Sequence, residues 1–239
     1  MALIQVCSDI HLEYNDISEV DFANIINPKG EILILAGDIG DPFSNIFEKF
    51  INYCSINFAC VLFVAGNHEY YNHLIIETDD KITEIFNKYK NVIYLNNTTF
   101  LYNNILFVGT TLWSEINKDV ELYNMKDFSK IKNFSSYLSN NLFTQNVQFI
   151  KEQLKNNKIV VITHHAPSYK CISKDYDNDP VNCCYASNLE YLFEDNNLIG
   201  WVYGHLHNNY KSIINNSFLY TNCYRTLDYN NEDIISLPL

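Results

Sequence analysis

The chain has 239 residues, 47% of them hydrophobic, and a formal net charge of −12. This length suits one large domain, residues 1–239, and the hydrophobic fraction is too high for a disordered chain. The negative charge and the single arginine, Arg225, disfavour long nucleic acids as partners and exclude a phosphate clamp built from several arginines.

The cysteines and the N-terminus indicate a cytoplasmic protein. Seven cysteines occur at irregular spacing without a Cys-x-x-Cys pair, which is typical of reduced core thiols in a cytosolic chain. Residues 1–6 lack a basic leader and a cleavage-like site, so they are predicted to form a core strand and not a signal peptide. No apolar run approaches the roughly 20 residues of a membrane span, and we expect no membrane association.

Short apolar runs that end at turn residues predict the strands of the first half of the chain. These strands cover residues 3–7, 31–36, 60–65, 92–95, 99–102 and 105–108. Helical spacing of apolar residues predicts helices over 42–57 and 78–89. The segment 14–30 is rich in polar and turn residues and is expected to be irregular.

The second half alternates regular segments with two irregular insertions, at about 112–141 and 168–186. Helices are predicted over 143–154 and 189–193, and strands over 159–162, 198–203, 210–214 and 218–221. Strands that alternate with helices, followed by paired strands, predict a layered α/β domain with some antiparallel strands. The two insertions are expected to shape a pocket.

Metal-ligand residues follow five of the predicted strands. The clusters are Asp9-Ile10-His11, Gly37-Asp38-Ile39-Gly40-Asp41, Gly66-Asn67-His68-Glu69, Thr163-His164-His165 and Gly204-His205-Leu206-His207. Ligands bind beyond the carboxyl ends of strands in layered α/β proteins, so these clusters can converge. Carboxylate, imidazole and amide groups favour Mn, Fe, Zn or Mg over a soft thiolate site. The set is too large for one tetrahedral ion and suits two ions that share a carboxylate, a centre adapted to displacement at phosphorus.

The order of these motifs resembles the calcineurin-like metallophosphoesterase superfamily, and the resemblance covers residues 9–207. The variants Gly-Asn-His-Glu-Tyr-Tyr, Thr-Thr-Leu-Trp-Ser and Thr-His-His-Ala-Pro-Ser resemble its small single-domain members. The resemblance implies an α/β fold, a four-layer α/β/β/α sandwich of two mixed β-sheets flanked by helices.

The resemblance also implies a role for each site residue. Asp9, His11 and His207 would hold one ion together with Asp38, and Asp38 would bridge to a second ion. The second ion would be completed by Asn67, His164 and His205. His164 and His165 compete for one ligand position, and we favour His164 because it comes first after the strand.

His68 would be a general acid oriented by Asp41, while a hydroxide that bridges the ions attacks phosphorus directly. The predicted cofactors are two divalent ions, with manganese favoured and Fe, Zn, Mg or Ni as alternatives. The predicted activity is metal-dependent hydrolysis of P–O bonds in a small phosphoester or a phosphoprotein. A phosphomonoesterase is favoured, and the alternatives are a phosphodiesterase acting on nucleotides and a catalytically weak metal-bound scaffold.

Overall fold

The computed structural model describes residues 2–14, 21–155 and 157–237. Two mixed β-sheets stack face to face with helices outside them, which confirms the predicted four-layer sandwich. The strands are β1 (Ala2–Cys7), β2 (Ile32–Ala36), β3 (Cys60–Val64), β4 (Val92–Tyr94), β5 (Thr98–Tyr102), β6 (Ile105–Thr110), β7 (Ile159–Thr163), β8 (Leu198–Val202), β9 (Lys211–Ile214), β10 (Ser217–Tyr220) and β11 (Ile234–Leu237). The α-helices are α1 (Phe22–Ile25), α2 (Asn45–Asn57), α3 (Ile75–Phe86), α4 (Asp127–Lys130) and α5 (Ser136–Leu154).

The first sheet has the order β11-β1-β2-β3-β4, and the second has the order β5-β6-β7-β8-β10-β9. Strands β1 to β4 run parallel, as do β6, β7, β8 and β10, whereas β5, β9 and β11 pair antiparallel at the sheet edges. The parallel strands of a sheet end at one edge, so the loops that follow them are brought together there.

The central strands are apolar on both faces because each sheet is covered on both sides. In β2, Ile32 and Ile34 pack between the two sheets, whereas Leu33 and Leu35 pack against the layer that contains α2 and α3. In β7, Ile162 faces the first sheet and Val161 packs toward α5. The uninterrupted apolar runs in the sequence follow from this two-sided burial.

Three helices differ from their predicted bounds. Helix α2 begins at Asn45 and not at 42, and α3 ends at Phe86 and not at 89. Helix α5 begins at Ser136 and not at 143, because the Ser135 hydroxyl accepts the N–H of Leu138 at 3.2 Å and caps the first turn. Its first two turns are largely polar and were assigned to the insertion at 112–141, which also contains α4. Helix α3 begins three residues earlier than predicted, at Ile75, where Glu77 accepts the N–H of Leu74 at 3.2 Å.

Several short elements fall outside the predicted pattern. Strand β11 was not predicted, and it extends the first sheet by pairing with β1. Helix α1 lies within the segment 14–30, where the Asp21 carboxylate accepts the N–H of Ala23 at 3.0 Å; residues 15–20 lie outside the described chain. The predicted helix at 189–193 is a 3₁₀ turn, Glu190–Glu194. Among the described residues, none of the helices is long and apolar enough to cross a membrane.

Candidate metal centre

Each ligand-type residue sits in the loop that follows a parallel strand, at the shared carboxyl edge of the two sheets. Backbone hydrogen bonds tie these loops together: Asp9 N–H donates to the Gly37 carbonyl at 3.0 Å, and His11 N–H donates to the Asp38 carbonyl at 3.0 Å. In the second sheet, Gly204 N–H donates to the His164 carbonyl at 2.9 Å, and between the sheets His205 N–H donates to Asp9 Oδ1 at 3.0 Å. The expected convergence of the five clusters therefore occurs in the fold.

The backbone at this edge is strained. Positive φ angles occur at Asp9 (56°), His11 (52°), Asp38 (54°), His205 (71°) and His207 (47°). A left-handed conformation at a residue other than glycine costs on the order of 1–3 kcal/mol, and such residues cluster at functional sites. Here the left-handed backbone directs the side chains of three separate loops toward one point.

The first donor group contains Asp9, His11, Asp38 and His207, whose donor atoms all lie within 4.8 Å of one another. His11 Nε2 is 3.7 Å from Asp38 Oδ2, and His207 Nε2 is 3.4 Å from Asp9 Oδ1. The Nε2 atoms of His11 and His207 face each other at 3.1 Å. Two lone pairs at this distance repel unless a proton or a cation lies between them.

The second donor group contains Asp38, His164 and His205, and Asn67 adjoins it. His164 Nε2 lies 3.4 Å from Asp38 Oδ1, 3.0 Å from Asn67 Oδ1 and 3.2 Å from His205 Nδ1. Asp38 thus presents Oδ2 to the first group and Oδ1 to the second. The Nε2 atom of His205 is buried without a hydrogen-bond partner among the described residues.

These donors fit two divalent cations that share Asp38. They are carboxylate, imidazole and amide groups, which suit borderline and hard ions, and each facing pair of ring nitrogens is close enough to bind one cation together. The negative charge of Asp38 also favours a cation at the second group, as the pKa of His164 shows. Burial by itself would lower the pKa of His164, but the adjacent Asp38 carboxylate raises it to about 10.

The structure brings His164 into the donor group and places His165 beside it. His165 Nδ1 lies 3.4 Å from the Thr111 carbonyl, and its ring packs against Trp113 and His205 with centroid distances of 5.6 and 4.2 Å. Burial, reinforced by the charge on His164, lowers the pKa of His165 to about 3. His165 is therefore a neutral core residue in this arrangement.

His68 lies over the donor groups. Its backbone N–H donates to Asp38 Oδ1 at 2.8 Å, and its ring stacks on Tyr71 with a centroid distance of 4.2 Å. The carboxylate beside its ring is Glu13, whose Oε1 is 3.1 Å from His68 Nδ1. The sequence-based expectation named Asp41 for this position, whereas Asp41 has a local partner in the structure. Asp41 Oδ1 accepts the N–H of Phe43 at 2.9 Å, because a short acidic side chain readily bonds the backbone two residues on.

Besides Glu13, the supporting role of Glu69 was not identified from the sequence. Glu69 is fully buried, and its carboxylate accepts the backbone N–H groups of Asp38 (2.9 Å), Ile39 (2.6 Å), Gly40 (3.1 Å) and Gly66 (2.7 Å). It thereby joins the loops after β2 and β3. A carboxyl group directly after His68 was the available signal, but only Gly66 lies nearby in sequence, and the other three partners belong to the loop after β2.

Asp9 is held by three donors, of which one is the backbone N–H of His205, at 3.0 Å from Asp9 Oδ1. The Cys223 thiol donates to Asp9 Oδ2 at 2.9 Å, and the Ser8 hydroxyl donates to the same oxygen at 2.5 Å. Burial and the Asp9 charge raise the pKa of Cys223 well above its ordinary value, so this cysteine is a neutral thiol donor. Nothing in the sequence around Cys223 pointed to this contact.

A cavity of about 640 Å³ opens over the centre. Its floor includes Asp38, Asn67, His68, His205 and His207, and its walls come from both insertions. Arg225 lies to one side, where Nη2 donates to the His11 carbonyl at 3.3 Å and the guanidinium lies 5.4 Å from the centroid of the Tyr14 ring.

Residues 3–209 match the family model of calcineurin-like phosphoesterases. A curated relative, the uncharacterized protein L509 of Acanthamoeba polyphaga mimivirus, is 30% identical over 258 residues, which cover 93% of this chain and 90% of L509.

Solved structures show the same fold at low sequence identity. The phosphopantetheinyl hydrolase PptH of Mycobacterium tuberculosis superposes with a TM-score of 0.67 at 14% identity, over 93% of this chain and 89% of that one. A dimetal phosphatase from Danio rerio superposes with a TM-score of 0.55 at 15% identity, over 92% of this chain and 86% of that one.

Proposed function

The chain belongs to the calcineurin-like phosphoesterase family, and we propose on that basis that it hydrolyses phosphoesters at a centre of two divalent metal ions, with manganese the favoured ion. The observation that carries the proposal is the position of Asp38, whose two carboxylate oxygens serve two separate donor groups directly below His68.

Asp38 would contribute to both metal sites. The first site would be completed by Asp9, His11 and His207, and the second by Asn67, His164 and His205. When bound, such ions lower the pKa of a coordinated water and neutralise charge at the phosphoryl group. The rest of the reaction depends on groups that the chain itself supplies.

His68 is suited to donate a proton to the leaving oxygen. Its Nδ1 faces Glu13, which leaves Nε2 as the nitrogen available to a substrate in the cavity that His68 lines. Burial tends to lower the pKa of His68, but the bond to Glu13 and the Asp38 charge outweigh burial and raise it. A raised pKa keeps the imidazolium, the form that can act as a general acid, populated near neutral pH.

The substrate is proposed to be a small phosphomonoester. A dimetal phosphatase among the proteins of the same fold supports this choice. A phosphodiester is the second candidate, because a cavity of about 640 Å³ has room for a second substituent on phosphorus.

The test is hydrolysis of p-nitrophenyl phosphate and bis(p-nitrophenyl) phosphate with Mn²⁺, with other divalent ions and after chelation. We expect metal-dependent turnover, with the monoester preferred. Asp38→Asn should remove activity and metal, whereas the matched variant Asp41→Asn should keep both, because Asp41 caps Phe43 outside the centre. A metal-loaded wild-type protein that hydrolyses neither ester would contradict the proposal and favour a scaffold.

His68→Ala tests the general acid separately. The variant should keep its metal content and lose about 10²–10⁴-fold in turnover of an alkyl phosphate, whose leaving oxygen requires a proton. The loss should be much smaller with p-nitrophenyl phosphate, because nitrophenolate leaves without protonation. Equal losses on both substrates would contradict the assigned role.

A further inference from the structure

One wall of the cavity belongs to neither sheet and is built by the two insertions together. The Ser114 hydroxyl donates to the Cys184 carbonyl at 3.1 Å, and the Tyr185 hydroxyl lies 3.9 Å from Met125 Sδ. Ile116, Cys183 and Cys184 form a small apolar core beneath this contact. The wall is therefore a packed unit that can define the shape and charge of the substrate.

Beyond the metal ligands, the cavity is poor in positive charge. Lys126 is the only lysine or arginine among the described residues that line it, whereas Asp127 and Asp179 add two carboxylates. Binding a second phosphate or a carboxylate group requires cationic or multiple N–H partners. A leaving group with its own negative charge would instead meet the exposed Asp179 carboxylate, in a protein whose net charge is −12. The other carboxylate, that of Asp127, is buried and accepts the Tyr71 hydroxyl at 2.7 Å and the Asn67 amide at 2.8 Å.

Two tyrosines, each with one ring face against a histidine of the centre, line the same cavity. The Tyr71 ring stacks on His68 with a centroid distance of 4.2 Å, and the Tyr185 ring lies 5.2 Å from His205 at an interplanar angle of 31°. Tyrosine faces favour flat neutral groups and also attract cations through the ring quadrupole.

We propose that the substrate carries a single phosphoryl group on a leaving group that is not anionic and presents a flat or apolar face to the insertion wall. This proposal rests on the proposed function, because the phosphoryl group must lie at the metal centre. It disfavours nucleoside diphosphates and triphosphates and acidic phosphopeptides as substrates. It favours neutral or cationic esters small enough for a cavity of about 640 Å³.

The test uses three aryl phosphates with phenols of similar acidity: 4-acetamidophenyl (neutral), 4-(2-aminoethyl)phenyl (cationic) and 4-carboxyphenyl (anionic). Each is supplied to the Mn²⁺-loaded protein as the monoester or the methyl diester, whichever form the nitrophenyl substrates show to be preferred. We expect kcat/KM for the anionic ester to be about tenfold below that of the neutral one, mainly through KM. The difference should shrink as salt is added, because screening weakens the repulsion.

The variant Asp179→Asn tests how one carboxylate charge in the wall affects substrate choice. Asp179 Oδ1 accepts the N–H of Val181 at 3.0 Å, and asparagine can keep that bond while it removes the charge. The variant should raise kcat/KM for the anionic ester about two- to fivefold relative to that for the neutral ester. Asp175→Asn is the matched control, because Asp175 lies in the same insertion but outside the described cavity lining, and it should change neither value.

Equal or faster turnover of the anionic ester by the wild-type protein at low salt would overturn this proposal while leaving the proposed function intact. If the metal-loaded protein hydrolyses neither these esters nor the nitrophenyl substrates, the proposed function fails. In that case the substrate proposal is tested by measuring the equilibrium affinity of the protein for the same three esters. Weaker binding of the anionic ester supports it, and equal or tighter binding overturns it.

Discussion

One carboxylate oxygen of Glu13, Oε1, lies 3.1 Å from Nδ1 of His68 and 3.1 Å from Nδ1 of His11. A candidate general acid and a candidate metal ligand are therefore oriented by the same anion. Burial would raise the pKa of Glu13, but the bonds to these two histidines lower it to about 2, so the carboxylate is charged at any working pH. Because one oxygen contacts both rings, the position of the His68 ring is coupled to that of His11 in the first donor group.

Glu13→Gln should move the alkaline limb of the pH–rate profile to lower pH. His68 must be protonated to act as an acid, so the rate falls as the pH rises through its pKa. Burial lowers that pKa, and Glu13 with Asp38 raises it. Loss of the Glu13 charge removes part of the increase, and we expect a shift of roughly one pH unit, measured as kcat against pH with an alkyl phosphate.

Asp41→Asn is the control for this measurement, because its carboxylate bonds the Phe43 N–H and an asparagine oxygen can do the same. Its pH–rate profile should match that of the wild-type protein. If Asp41→Asn shifts the limb while Glu13→Gln leaves it in place, Asp41 is the orienting group and the assignment to Glu13 is wrong.

His164→Ala and His165→Ala should separate the two adjacent histidines. His164 Nε2 faces Asp38 and Asn67, so its removal should lower the metal content by about one ion per chain, measured by elemental analysis of purified protein. His165 instead approaches the Thr111 carbonyl and packs on Trp113, so its removal should reduce stability and keep the stoichiometry. The reverse pattern of metal loss would make His165 the ligand.

Cys223→Ala should weaken metal binding at the first donor group. Its thiol donates to Asp9 Oδ2, and loss of a group that orients a ligand typically costs roughly 10- to 100-fold in metal affinity. Cys60→Ala is the control, since Cys60 is also buried but packs between the sheets, away from the centre. If a metal titration shows equal affinities for the two variants, Cys223 does not contribute to metal binding.

The features that sequence patterns predicted well are those governed by local burial. Runs such as 32–35 and 159–162 read as strands because both of their faces are covered, and the ligand residues follow these strands directly. Because parallel strands bring their carboxyl ends to one edge, His164 and Asp38 could be expected to meet from opposite halves of the chain.

The features that escaped prediction depend on contacts between distant or locally ambiguous segments. Glu13 was passed over because the resemblance assigned its role to Asp41 by spacing, while in the fold Asp41 satisfies a local N–H. Strand β11 pairs with β1 from the other end of the chain, and its sequence carries no strong signal beyond Ile234-Ile235. The start of α5 was hidden because its first turns are polar on most sides.

Glu69→Ala should destabilise the fold more than any change at an exposed acid. Its carboxylate accepts four backbone N–H groups from two loops, and the side chain is fully buried. Leaving such donors without partners costs about 1–3 kcal/mol each, partly recovered if water enters, so we expect a loss of at least about 3 kcal/mol in the free energy of unfolding.

The matched variant is Glu77→Ala, which removes one acceptor from the exposed N–H of Leu74 and should cost about 1 kcal/mol or less. Both variants are compared by urea denaturation of the metal-free protein, so that a change in metal affinity does not enter the result. A Glu69→Ala protein within about 0.5 kcal/mol of wild type would mean that the loops after β2 and β3 hold their positions without this carboxylate. The strained backbone at Asp38 would then have to be stabilised by packing and by the hydrogen bond from His11 N–H to its carbonyl.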